Sequence, residues 1–143
     1  MQNVDYGAHQ TPWNHKFEIL MVLIANILVF IIAANHLLFA YIEFSGRNKA
    51  DFYNKFEIKI AEGQDLAEIG RIVTNAAIFN ALIALGLIVS LVWSGDQGML
   101  LKKYLLFSII VAGAAGGLTL KPIVAWLQSV PAVIALALVL LAQ

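Results

Sequence analysis

No cysteine occurs among the 143 residues, which excludes disulfides, thiolate nucleophiles and cysteine-based metal sites. Charge is scarce as well: 13% of the residues are charged, against about a quarter in soluble globular domains. Nine basic residues balance nine acidic ones, so the formal net charge is zero and nothing recommends a nucleic-acid partner. Glycine-rich phosphate loops, the serine turn of hydrolases and the HExxH zinc motif are all missing. A run of aromatics that would stack single-stranded bases is missing too. Histidine is limited to three residues, two of which, His9 and His15, precede the first apolar run.

What is present is apolar. Hydrophobic residues make up 61% of the chain, and the mean hydropathy is +0.82. Such a chain is an integral membrane protein, and its length allows one compact domain. Residues 1–18 read as a polar N-terminal tail, with Trp13 placed to anchor at the membrane surface. The first basic residue, Lys16, directly precedes an apolar run too long for a signal-peptide core, so the run reads as a retained helix.

Residues 19–143 carry four expected spans, at about 19–44, 70–93, 104–120 and 123–142. Ser45, Gly46 and Arg47 read as the stop of the first. The polar stretch Arg47–Gly63 holds Phe52 and Phe56 four residues apart, the spacing of an interfacial amphipathic helix. Asp65 and Glu68 resemble a capping box before the second span. The sequence SGDQG reads as a turn, with Lys102 and Lys103 at the membrane edge. Gly113 and Gly117 form a GxxxG pair with Gly116 beside it, a small-residue surface for close helix packing. Pro122 suits the first turn of the last helix, and Pro131 lies within it. The predicted fold is therefore all-α: a four-helix membrane bundle with an interfacial amphipathic segment after the first helix. Six Lys and Arg residues in the loops after the first and third spans, against three on the other side, place both termini outside the cytoplasm.

Polar residues inside spans carry the functional information, because each needs a partner, water or a purpose in lipid. His36 and Glu43 are seven residues apart, near two helical turns, and share a face. Asn75, Asn80 and Gln128 enter from the same end of the bundle on two other helices. These five residues form a candidate polar cluster. Three readings compete for it. One is structural, interhelical hydrogen bonds of about 0.6 kcal/mol each. Another is a lipid, quinone-like or proton site centred on His36 and Glu43. The third is a metal site, which has two ligands at helical spacing but no second histidine in the membrane.

In HLLFAYIEF, NAAIFNALIALGL, VAGAAGG and QSVPAVIALALVLL, in that order and spacing, the chain resembles the small four-helix bacterial membrane proteins grouped as "domain of unknown function" number 1304. The resemblance covers roughly Ile24 to Leu141 and implies a four-helix membrane bundle in the bacterial inner membrane with no assigned activity. The family's polar positions correspond here to His36, Glu43, Asn75, Asn80 and Gln128. Where the family pattern has Gln-Gly after the first Asn and Tyr before the second, this chain has Ala76, Ala77 and Phe79. Two polar groups are thus missing from the cluster that the resemblance implies. The leading functional expectation is a non-catalytic accessory or scaffold subunit, packing against other membrane proteins or copies of itself in the bilayer. The alternative is the His36–Glu43 binding site. Neither reading implies a cofactor or a bound metal.

Overall fold

Thirty-five consecutive residues, Pro12–Gly46, form a single helix, α1, in a computed structural model that describes residues 12–142. Pro12 suits a first helical position because its missing N–H would be unpaired there anyway. No glycine or further proline interrupts the run until Gly46 ends it. Most of the expected polar tail, and the side chain of Trp13, lie outside the described residues. The portion from Pro12 onward is already helical, so α1 begins before the expected span start at 19.

Four further helices follow: α2 (Ala50–Lys55), α3 (Leu66–Val92), α4 (Asp96–Thr119) and α5 (Pro122–Leu141). No strand occurs among the described residues. α1, α3, α4 and α5 are each long and apolar enough to cross a membrane. Round the bundle, α1 neighbours α3 and α5, and α4 neighbours the same two. α1 and α4 therefore face each other across the diagonal.

The surface is apolar, as lipid contact requires. Leu82, Leu85, Phe107, Val111 and Leu140 are all more than half exposed. The core is a stack of Val29, Ile32, Ala33, Leu87, Leu106, Ile109, Ala132 and Ala135. The alanines let the backbones approach, which is how helices gain packing energy where lipid removes the hydrophobic drive to associate. Glycine does the same on the α4–α5 seam. A Cβ at Gly113 would lie 2.5 Å from Ser129 Oγ and 2.9 Å from Ser129 N. One at Gly116 would meet Val124, and one at Gly117 would meet Ala125.

The 47–65 connection folds back onto the end of the bundle. Tyr53 is fully buried, and its hydroxyl donates to the Arg47 carbonyl. The Phe52 and Phe56 rings meet at a tilt of 53°, their centroids 5.0 Å apart. Gly70 packs under the Arg47 carbonyl, where a Cβ would come within 2.9 Å. Lys121, at the head of α5, ties this connection to the α4–α5 turn through Glu57 at 2.7 Å and the Lys55 carbonyl at 3.1 Å. At the start of α3, Asp65 caps by accepting from the Ala67 amide at 2.9 Å. At the opposite end, Gly95 takes φ +82° to turn the chain into α4. α4 starts well before the expected span, so Lys102 and Lys103 fall inside the helix. α5 runs unbroken through Pro131.

Candidate functional site: a buried His–Asn–Glu chain

α1 and α3 run antiparallel, with Gly70 level with Arg47. That register brings Asn80 of α3 opposite the stretch of α1 between His36 and Glu43. Asn80 bridges the two. Its Oδ1 lies 2.8 Å from His36 Nδ1, and its Nδ2 donates to Glu43 Oε2 at 2.8 Å. His36 is 4% exposed, and its ring and that of Phe39 form a T-shaped pair with centroids 6.1 Å apart. Glu43 and Asn80 are half-buried.

The amide fixes the chemistry along this chain. An ionised carboxylate can only accept, so the Asn80 NH₂ faces Glu43 and its carbonyl faces His36. The carbonyl needs a donor, which places the proton of a neutral His36 on Nδ1. Nε2 is then left with a lone pair. That atom is buried and has no hydrogen-bond partner. An unsatisfied buried polar atom costs about 1–3 kcal/mol, and in native proteins such an atom commonly marks a site completed by water or a ligand.

Of the five residues expected to cluster, three are joined: His36, Asn80 and Glu43. Asn75 is exposed on the outer side of α3. Gln128 is half-buried on α5 but sits over Gly113 of α4, on a different seam. Asn75 and Asn80 are five residues apart, a turn of about 500°, so a single face cannot hold both. His36 and Glu43 do not converge on a point as metal ligands would, because Asn80 stands between them. No group of three or more His, Asp or Glu side chains that could hold a metal occurs among the described residues.

Sequence reasoning missed a second polar contact. Lys102, expected at the membrane edge, is 6% exposed inside the bundle. Its Nζ donates to Asn26 Oδ1 at 2.6 Å, joining α4 to α1 across the diagonal. The signal was available: Lys102 continues the spacing of the buried Leu105, Leu106, Ile109 and Gly113.

A shallow groove of about 550 Å³ lies outside the cluster, against the end of α1, lined by Tyr41, Ser45, Lys49, Phe52, Lys55 and Phe56 among others. Neither His36 nor Asn80 reaches it.

No curated protein and no solved structure matches the chain. Residues 30–140 match the profile of the family described as "Protein of unknown function (DUF1304)". That match takes in His36, Glu43, Asn80 and Lys102 but not Asn26. Covering most of the chain, it shows that this protein of four long apolar helices belongs to the DUF1304 family.

Proposed function

We propose that the chain is a membrane-embedded binding protein whose site is the His36–Asn80–Glu43 chain, and that His36 Nε2 takes one hydrogen-bonding group of a lipid-soluble molecule. The observation that carries this reading is the buried, unpartnered Nε2 on a ring fixed through Nδ1 by Asn80. A cluster serving only to hold helices together would gain most by satisfying that atom. The same bridge of α1 to α3 would be made by Asn80 and Glu43 without an imidazole. In this reading the 47–65 connection faces the cytoplasm of a bacterial cell and both termini lie on the other side of the inner membrane. Glu43, near the connection end of α1, then contacts water of the cytoplasmic surface.

The test is purification in mild detergent with native lipid, followed by native mass spectrometry of the wild type and His36→Phe. A small-molecule adduct on the wild type that is lost in the variant is the expected result. Identical spectra, with the ¹⁵N resonances of the His36 ring unmoved by added lipid extract, would sink the reading.

A second reading, an accessory subunit or a homo-oligomer, draws on Asn75. An exposed amide within a membrane-spanning helix is unfavourable against lipid and favourable against another protein. The glycine surface of α4 does not serve that reading, because α5 of the same chain occupies it. Cross-linking from a cysteine at position 75 distinguishes the cases. A protein-free surface there leaves the subunit reading without support.

A further inference from the structure

We infer that Asn80 is the specificity-determining residue of this site: through its amide, the protonation state of Glu43 sets whether His36 Nε2 accepts or donates a hydrogen bond. The ligand preference rests on the binding reading above. The switch itself rests only on the His36–Asn80–Glu43 geometry.

A primary amide carries a donor on one side and an acceptor on the other, so its two hydrogen bonds are coupled in direction. With Glu43 ionised, the Asn80 NH₂ is held by the carboxylate and the carbonyl takes the Nδ1 proton. Nε2 is then an acceptor, and the complementary ligand group is a hydroxyl. When Glu43 takes up a proton on Oε2, the oxygen that faces Asn80, that O–H becomes a donor and is satisfied by the amide carbonyl. The amide turns over and presents its NH₂ to His36 Nδ1, which must now hold a lone pair. The ring ends neutral: Nε2 takes a proton from water that reaches it, and Nδ1 gives its own back to water as the amide turns. The net change is one proton bound, at Glu43. Nε2 has become a donor, and the complementary ligand group is a carbonyl. A site of this kind separates the hydroxyl and carbonyl forms of one class of lipid-soluble molecule, quinol and quinone, without itself carrying out the oxidation.

The surroundings leave Glu43 in control. Arg47 lies over Phe44, 3.9 Å from the ring centre, and donates to the Phe44 carbonyl. On α3, Glu68 and Arg71 are exposed, and the nearer lies nine residues before Asn80. α5 carries no titratable side chain. Lys121 pairs with Glu57. Lys49, Asp51 and Lys55 are exposed on the connection. Asp96, Lys102 and Lys103 belong to the opposite end of the bundle.

The experiment uses the full chain, labelled with ¹⁵N-histidine, in lipid nanodiscs. His36 is assigned by difference from His36→Gln. From alkaline to acidic pH, the ring is expected to pass from the neutral Nδ1–H form to the neutral Nε2–H form. Asn80→Leu and Glu43→Gln are each expected to abolish that step, with circular dichroism and thermal melting confirming the fold. A ring that passes straight to the doubly protonated form overturns the inference, as does a tautomer step that persists in Asn80→Leu. In a second arm, short-chain ubiquinol and ubiquinone serve as probes. Reversing one hydrogen bond is expected to shift the quinol-to-quinone affinity ratio by about tenfold between the two pH limits. A tautomer step with no binding of either probe removes the ligand reading and leaves the switch standing. Binding with a constant ratio and no tautomer step does the reverse.

Discussion

The Lys102 ammonium donates to Asn26 Oδ1 at 2.6 Å, inside the bundle and across its diagonal. Lys102 comes from the second turn of α4 and Asn26 from the first half of α1, helices with few other contacts. A hydrogen bond to a charged group contributes about 1.5–3 kcal/mol. Asn26→Leu leaves the cation without this partner and is expected to destabilise the protein by about 2 kcal/mol. Asn26→Leu with Lys102→Met removes both polar groups and is expected to recover most of that loss, because paired polar groups replaced together are close to neutral. Thermal unfolding of the two variants in detergent checks this. A double variant no more stable than Asn26→Leu alone would show that the pair is not the source.

On the α4–α5 seam, Gly113→Ala is expected to separate the helices. The new Cβ would meet the Ser129 backbone nitrogen at 2.9 Å, and backbone cannot rotate away. It would also crowd Ser129 Oγ, which donates to the Ile110 carbonyl at 2.9 Å. Overpacking of this kind destabilises by about 1–3 kcal/mol. Ala114→Leu, one residue on but exposed, is the control and should leave the melting temperature unchanged.

Asp65→Ala removes the side-chain acceptor of the Ala67 amide. The expected loss is about 1 kcal/mol, confined to the first turn of α3. Hydrogen exchange should speed up at Ala67 and its neighbours while the amides around Asn80 keep their protection.

Glu57→Gln is expected to change stability by no more than about 0.5 kcal/mol. The Lys121–Glu57 contact is short, but the carboxylate side chain is 78% exposed, so water screens it. Melting curves at low and high salt should coincide for the wild type and the variant.

The spans could be read from the sequence because lipid imposes a single demand, continuous apolar helix, and four segments meet it. The facing of individual polar residues was harder. His36 and Glu43 share a face by spacing alone, and α3 completes that face with Asn80. Choosing Asn80 over Asn75 required the buried stripe of α3: Ala77, Ala84 and Leu87 are buried, and Asn80 falls in register with them. Asn75 does not. Gln128 likewise continues the stripe Ala132, Ala135 and Val139, which explains its partial burial, but the stripe alone does not say which neighbour it meets. Lys102 was misplaced because a charge after a turn suggests an interface. The stripe running from it to Gly113 pointed inward and outweighed that cue. Helix register along α1 explains both polar contacts at once, since Asn26, Val29, Ala33, His36 and Glu43 follow one another at three- and four-residue steps or their sums.

Between those two contacts lies the stack of Val29, Ile32, Leu87, Leu106 and Ile109, each 2% exposed or less. Along α1 it separates Asn26 from His36 by about 15 Å of helix rise. Such a layer is an insulator. None of its five side chains can pass a proton or hold an ion. The two hydrogen-bonded contacts share no polar side chain of this stack. In the binding reading, His36 and Glu43 are therefore expected to answer to pH on the side of the 47–65 connection, and a pH step applied to the other face of sealed vesicles should leave the His36 ring resonances unmoved.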